Sequence, residues 1–428
     1  MSDFVPLGDI CLRITKGTTP SLSDGGFSEK GINYIKSESL SYDGTIDVSK
    51  FSFISEETNK RLKRSIIEDG DILYSIAGAN LGKCGIARAE HLPANTNQAV
   101  AIIRIDPERA SNRFVSFFLR NPSFVQLVLS GVAQSAQPNV NLADIGKFKI
   151  PNRHLTEQEA IASILGVLDD KIELNRRMND TLEAMTRAIF KDWFVDFGPT
   201  RAKMEGRAPY LAPDLWSLFP DRLDDDGKPK GWVFGTLGDL ARQTGESMKP
   251  EALDAGTPYI GLEHMPRKSI ALADWEGAGK VTSGKLAFRK GDFLFGKLRP
   301  YFHKVGIAPV DGICSTDIVV LNAREQNATA FVLACVSQDE FVAFTDRTSD
   351  GTKMPRTSWG RMERYGLCIP GGSALEAFNA SVQPMLDRIV ANIHESRTLA
   401  VTRDFLLPKL MSGEVRVKDA EKHLGEVA

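Results

Sequence analysis

The chain has 428 residues, of which 42% are hydrophobic, 8% aromatic and 25% charged. That is the profile of ordinary soluble globular domains, and it excludes collagen-like, disulfide-scaffold and wholly disordered chains. One core stops growing beyond roughly 250–300 residues, so at least two domains are expected. Lys+Arg 53 against Asp+Glu 55 gives a net charge of −2, so any surface for a polyanion must be local. The cysteines Cys11, Cys84, Cys314, Cys335 and Cys368 form no C-x-x-C pair and are too sparse for a disulfide framework; they read as reduced core thiols. Met1–Ile10 carries acids in place of a basic leader, and no apolar run approaches the ~18 residues of a membrane span. The expectation is a cytoplasmic protein with no membrane partner.

In chain order, the sequence contains itself twice. Leu7-Gly8-Asp9-Ile10 returns as Leu237-Gly238-Asp239-Leu240, and Tyr34-Ile35 returns as Tyr259-Ile260. Gly70-Asp71-Ile72-Leu73-Tyr74 returns as Gly291-Asp292-Phe293-Leu294-Phe295, and Lys83–Ala87 returns as Lys304–Ala308, both at an offset of 221. Phe114-Val115 then matches Phe331-Val332 at 217, and Ile150-Pro151 matches Ile369-Pro370 after two extra residues. Order and offset are kept together, the signature of an internal duplication. Each copy opens with short β-rich runs, such as Gln98 to Ile105 and Asp317 to Leu321, separated by Gly, Pro and Asn. Helical stretches follow, Arg113 to Leu129 and Ala328 to Thr345, and Ile-Pro closes each globule.

Each globule leads into a long helix. Thr156 with Glu159 forms a capping box ahead of the periodic stretch. Ile161, Leu168, Asn175, Leu182 and Ile189 then recur every seven residues. Adding 217 gives Phe378, Met385, Asn392, Leu399 and Leu406, the same seam with the same polar break. Sustained heptads indicate a coiled coil, the alternative being a helix lying on its own domain. In an antiparallel pair of related helices the midpoints meet, which would set Asn175 against Asn392 unless both amides look at solvent. Between the copies, Gly198 to Trp232 reads as an ordered crossover loop, and the end of the chain from Val415 reads as a tail.

Enzyme signatures do not survive inspection. Pro220-Asp221 before Asp226-Gly227-Lys228 has too short a spacing, in too turn-rich a stretch, for a metal-dependent nuclease. The histidines His91, His154, His264, His303, His394 and His423 show no zinc-ligand spacing. No phosphate-binding glycine loop, nucleophile elbow or adenine-holding Asn-Pro-Pro-Tyr motif occurs. The expectation is a chain with no catalytic residue, no metal and no cofactor.

What remains is recognition. Lys285, Arg289, Lys290, Lys297, Arg299 and Lys304 oppose one acid, Asp292, with Phe288, Tyr301 and His303 interleaved. Lys353, Arg356, Arg361 and Arg364 follow. In the first copy Lys60, Arg61, Lys63 and Arg64 cluster beside Lys83. Single charge runs are often solvated faces, but recurrence at matched places favours phosphate contact. Loops of base-reading composition occur at Lys16 to Ser21, Asn95 to Gln98, Gln134 to Asn141, Gly296 to Lys304 and Ser349 to Trp359. The DNA-binding candidates are Lys16, Thr18, Thr19, Lys83, Asn97, Gln98, Gln134, Gln137, Asn139, Lys297, Arg299, Tyr301, His303, Lys304, Lys353 and Arg356.

Three stretches carry a resemblance: Ile189-Phe190-Lys191-Asp192-Trp193-Phe194-Val195-Asp196-Phe197-Gly198-Pro199, Pro229-Lys230-Gly231-Trp232, and Leu406-Leu407-Pro408-Lys409-Leu410-Met411-Ser412-Gly413-Glu414-Val415. With the duplicated globule-plus-helix plan, the chain resembles the DNA-specificity subunit of type I restriction-modification enzymes. The resemblance implies an α+β fold in which two mixed or mainly β target-recognition domains are separated by two long antiparallel coiled-coil helices. Residues 1–153 would form the first such domain, 154–197 the first spacer helix, 198–372 the crossover loop and second domain, 373–413 the second spacer helix, and 414–428 a tail. It further implies a non-catalytic subunit that binds double-stranded DNA at a bipartite target with an unspecified gap. The partners would be two modification subunits, which methylate adenine, and restriction subunits, which translocate and cut. The family pattern places Lys16-Gly17-Thr18-Thr19-Pro20 and Gln134 to Asn141 near DNA, whereas Gln243-Thr244-Gly245-Glu246 lacks the Thr-Pro element. A methylation-only system and a scaffold that does not bind DNA are the other readings.

Overall fold

Short β-branched runs punctuated by Gly, Pro and Asn form strands, and the two heptad stretches form long helices. The computed structural model describes residues 3–420 and 422, apart from 22, 24, 133–138 and 352. Contacts group the residues up to Lys171 with those from Leu399 onward, and Ile172–Thr398 separately. Each unit therefore holds one globule and segments of both helices.

In the first unit, Phe4–Pro6 pairs antiparallel with Lys149–Pro151, so the Ile-Pro element closes the globule against its own beginning. A four-stranded antiparallel sheet runs in the order Cys11–Lys16, Val100–Ile105, Ile72–Ser75, Cys84–Ile86. A second sheet runs Ser52–Ile54, Ile32–Ile35, Ala94–Thr96, Ile66–Ile67, its middle pair parallel. Side chains on a strand alternate between faces. The central strand uses both: Ala101, Ile103 and Ile105 enter a core shared with Phe114, Val115 and Phe117, while Val100 and Ile102 enter a second core with Ile35 and Leu73. The helical stretch is two helices, Asn112–Arg120 and Pro122–Val132, broken at Asn121.

The second unit repeats this plan. Val233–Thr236 pairs with Gly366–Ile369, and Ala241–Gln243, Ile318–Ala323, Phe293–Gly296, Val305–Ile307 form the four-stranded sheet. Val319 and Leu321 face one core, Ile318 and Val320 the other. The other sheet gains a fifth strand, Glu246–Met248, paired with Lys285–Phe288. The closing ladder sets Gly235 opposite Leu367 where the first copy sets Val5 opposite Ile150, so Ile369-Pro370 falls two residues beyond the matched position. The crossover is not a plain loop: it contains the helices Gly198–Met204 and Pro213–Ser217. Its Lys228 ammonium is bound to Asp224 and Asp226, which closes the acidic turn with its own lysine.

The stretches that carried the resemblance are core elements. Phe194 meets Trp232 at 5.8 Å and Phe378 at 5.0 Å, and Trp193 meets Phe219 at 5.1 Å. The end of the first helix, the Lys-Gly-Trp motif and the second helix thus share one aromatic cluster.

The first long helix is Leu155–Phe190, 36 residues, and the second is Gly372–Ser412, 41 residues. Thr156 is not the cap. The His154 carbonyl accepts from Glu157 and Gln158 nitrogens, and the Gln158 side chain ties the entry to Ser111 and Arg153, leaving Thr156 and Glu159 exposed. In the first unit Ile161 and Leu168 are buried with Leu406, and Leu399 packs against the same core. In the second unit Phe378 is buried, Leu182 and Ile189 pack beside it, and Met385 touches Thr186 through its sulfur.

Asn175 and Asn392 are both fully buried, yet they do not bond each other. Asn175 Nδ2 donates to Glu395 Oε2 (2.9 Å) and Ser396 Oγ (3.3 Å), and Asn392 Nδ2 donates to Asn179 Oδ1 (2.8 Å). Ser396 and Asn179 are related by the same offset of 217 as the two donors. Each amide therefore reaches one helical turn along the opposite helix, and the two bonds are exchanged by the repeat. The described part of the expected tail, 414–420, is not free of the core, while 421 and 423–428 lie outside the described residues. Val415 and Val417 pack against the first unit's core and Ala420 is buried within it.

Candidate nucleic-acid interface

In the first unit Lys16 lies opposite Ala101, Ser75 opposite Val100 and Tyr74 opposite Cys84. Antiparallel pairing therefore delivers the loops at 17–20, 76–83 and 97–99 to one end of the sheet. Backbone bonds lock them together: Gly17 N to Val100 O, Thr18 N to Thr96 O, Ile76 N to Ala99 O and Val140 N to Ile76 O, with Asn139 bridged to Ala77. A Cβ on Gly17 would lie 1.9 Å from the Thr96 oxygen, so only glycine lets the strands approach this closely.

Lys16, Thr18, Thr19, Asn97, Gln98, Lys83 and Asn139 are thereby brought to one place. The Thr19 hydroxyl and its backbone N–H both donate to Gln98 Oε1, which leaves the Gln98 NH₂ uncommitted among the described residues. Lys83 Nζ donates to Asn80 Oδ1 at 2.9 Å and lies 5.6 Å over the Tyr42 ring. Burial, with Lys50 nearby, holds this ammonium below the ordinary lysine value. Lys16 is exposed and has no partner among the described residues. Gln134 and Gln137 lie outside the described residues.

The second unit presents the same sheet end. Gly296 lies opposite Ile318 and Phe295 opposite Val305, so 297–304 and 315–317 emerge together. Lys297 N donates to Asp317 O, Arg299 N to Pro355 O and Thr357 N to Lys297 O, which draws in the 350–357 segment. Lys297, Arg299, Tyr301, Lys353 and Arg356 are gathered there. Lys353 is exposed and Tyr301 half exposed, whereas Arg356 is paired with Asp317 at 2.7 Å. Arg299 holds φ +52°, a conformation that costs free energy for any residue but glycine.

Two candidates turn inward. His303 is buried, its ring nitrogens on Asp339 Oδ1 (3.1 Å) and the Ser337 carbonyl (3.0 Å). Burial outweighs those acceptors and keeps its pKa below the usual histidine value. The Lys304 ammonium is spent on the Leu262 carbonyl. The basic run is also not one face. The strand Phe293–Gly296 carries the chain from Arg289 and Lys290 at one sheet end to Lys297 and Arg299 at the other, and Lys285, at the start of its own strand Lys285–Phe288, is buried against Tyr259. Gln243-Thr244-Gly245 passes directly into the additional strand Glu246–Met248, so no counterpart of the Thr19–Gln98 clasp forms. Sequence reasoning missed Arg267, whose guanidinium stacks 4.1 Å over Phe302 beside Arg299. It belongs to no basic run, and only folding brings it there.

Among the described residues no single helix is long and apolar enough to cross a membrane. Residues 2–184 match the type I restriction modification DNA specificity domain family. The type I restriction enzyme MjaIX specificity subunit of Methanocaldococcus jannaschii is 24% identical over 423 residues, covering 95% of this chain and 92% of that one. The HindI specificity subunit of Haemophilus influenzae is 22% identical, covering 65% and 71%. The crystal structure of the S subunit of a type I restriction-modification system from M. genitalium superimposes with a TM-score of 0.54 at 14% identity over 95% of both chains, which shows the same fold. Residues 2–184 thus carry the type I restriction modification DNA specificity domain, and with the duplicated sheets and the two long helices the chain is similar over nearly its whole length to the specificity subunits of type I restriction enzymes.

Proposed function

We propose that this subunit binds double-stranded DNA through the matched sheet ends of its two globules, each reading one segment of a bipartite target with an unspecified gap. Residues 1–153 and 198–372 then act as the two target-recognition domains, and 154–197 and 373–413 as spacer helices. The chain directs two adenine-methylating modification subunits, and the restriction subunits that translocate and cut, to that target. The observation that carries this reading is recurrence: exposed basic side chains, joined by amides in the first copy and by Tyr301 in the second, lie on loops clasped by backbone bonds at the same end of the same sheet in both copies. Amides and guanidinium groups read base edges, and exposed lysines meet phosphates.

The test is selection of bound duplexes from a random library by the assembled methyltransferase. Replacing Arg299 and Lys353 together should blur one half of the selected target and leave the other half's preference intact. Equal blurring of both halves, or of neither, overturns the assignment.

A further inference from the structure

The two copies differ at one buried carboxylate. In the first, Asp71 accepts the Glu68 N–H on Oδ2 (2.8 Å), and a fork from Arg104 closes on it, Nε to Oδ1 (2.8 Å) and Nη2 to Oδ2 (2.9 Å). The same guanidinium reaches Glu68 at 2.6 Å. In the second copy Asp292 stands where Asp71 does, and its Oδ2 accepts the Arg289 N–H at the same 2.8 Å. The strand position of Arg104 is held by Asn322, whose short amide donates to Oδ1 alone, again at 2.8 Å. The guanidinium bond to the second carboxylate oxygen has no counterpart.

Beside Asp292 lies a cavity of about 960 Å³, lined by Arg289, Asp292 and Asn322, against about 350 Å³ where Arg104 and Asp71 line a cavity in the first copy. Glu246, Asp254 and Asp311 also line it, with Arg242 as the other basic group, so acids outnumber bases in the wall. Asp292 is 6% exposed and precedes the strand Phe293–Gly296, so it sits at the sheet end away from Lys297 and Arg299. This cavity is therefore distinct from the surface assigned to DNA, and its charge is of the wrong sign for phosphate.

We propose that the second globule binds a small guanidinium compound in this cavity, the group lying against Asp292 as Arg104 lies against Asp71. A planar fork matches a carboxylate with two parallel N–H···O bonds, which a point-charge ammonium does not reproduce. The acidic wall then favours a ligand with a second positive charge at a distance from the guanidinium.

Isothermal titration of the full chain with agmatine, at constant ionic strength, tests this. Saturable binding is expected, with putrescine, the diamine that lacks a guanidinium, bound at least about tenfold more weakly. Asn322→Arg supplies the fork from within, as in the first copy, and should abolish agmatine binding while raising the melting temperature. Asp292→Asn should abolish binding without that rise. Absence of saturable binding, equal affinity for putrescine, or unchanged agmatine affinity in Asn322→Arg overturns the proposal. The comparison of the two amines on the unaltered chain decides it even where a variant does not fold.

Discussion

The two units hold their globules to the helices by different chemistry at related places. In the first, Asp169 of the leading helix takes Arg120 of the globule (2.7 Å) and Arg403 of the returning helix (2.8 Å), and Asp170 takes Arg88 and Arg113. In the second, the position matching Asp169 is Leu386, buried in the apolar core. The fastening moves to Glu183, which accepts from Ser269 Oγ and from the backbone nitrogens of Ile270 and Ala271. Arg187 then reaches the Lys268 carbonyl, and Arg397 stacks 3.5 Å over Trp275. Duplication preserved the strand order and the seam, while each copy fastened its loops with whatever charges it had acquired. Backbone architecture is set by periodic burial, which many substitutions satisfy; ionic fasteners depend on single side chains and so diverge.

Removing Asp169 should produce the largest effect. Arg120 and Arg403 have side chains only 8% and 9% exposed; Arg403 keeps Asp404 at 2.8 Å, whereas Arg120 loses its carboxylate, and a buried charge stripped of its partner costs about 3–5 kcal/mol. Asp169→Ala should lower the stability of the first unit by that order. The measurement separates the units cleanly, because Trp193, Trp216, Trp232, Trp275 and Trp359 all lie in the second. In urea, the far-ultraviolet circular dichroism transition should move to lower concentration, and tryptophan fluorescence should move less. Coincident shifts of equal size would mean that the units do not yield separately.

Glu183→Ala is the reciprocal change, with an expected cost of about 2–3 kcal/mol from donors left without an acceptor. Burial raises the Glu183 carboxyl above its ordinary value, offset in part by Ser269 and Ile270. Glu183→Gln should therefore recover part of the loss, since a neutral amide oxygen still accepts. Here tryptophan fluorescence should report the change first. If Glu183→Ala left the fluorescence transition unmoved, the carboxylate would not be the fastener of this unit.

How much of this was legible in the sequence follows from the range of each interaction. The seam from Ile161 to Ile189 and the alternation along Val100–Ile105 are local periodicities, visible without coordinates, and they gave the helices and the central strands. The Arg403–Asp169 pair joins residues 234 apart, and nothing local to either announces it. The charge run from Lys285 to Lys304 misled for a related reason: sequence proximity was read as a shared face, but an extended strand moves consecutive charges to opposite sheet ends. His303 and Thr156 illustrate competition for partners. Each has the residue type its expected role requires, yet Ser337 and Asp339 claim the first, and the His154 carbonyl with Gln158 takes over the cap from the second.

The buried asparagines sharpen the comparison within one helix pair. Asn392→Leu strands the side-chain oxygen of Asn179, a residue 7% exposed, and should cost about 1–2 kcal/mol. Asn175→Leu releases Glu395 and Ser396, both partly exposed and able to turn to water, and should cost less. Urea unfolding followed by tryptophan fluorescence measures both. Equal costs would mean that the two exchanged bonds are energetically equivalent despite their different surroundings.

The smallest expected effects test whether the two sheet ends do the same work. Lys16 in the first unit and Lys353 in the second are both exposed and without a partner among the described residues, so neither substitution disturbs an internal bond. A lysine that neutralises one phosphate releases its counterion, and its removal lowers the slope of log affinity against log salt by about 0.9. Lys16→Ala and Lys353→Ala should each produce that change in the assembled methyltransferase, measured by fluorescence anisotropy on its duplex between ~50 and ~200 mM salt, with the selected bases unaltered. Arg356→Ala should behave differently, because Arg356 is already neutralised by Asp317 and its loss frees an acid beside the duplex. A slope change at Lys353 but none at Lys16 would confine phosphate contact at this position to the second copy, and the symmetry of the two sheet ends would then be one of fold and not of use.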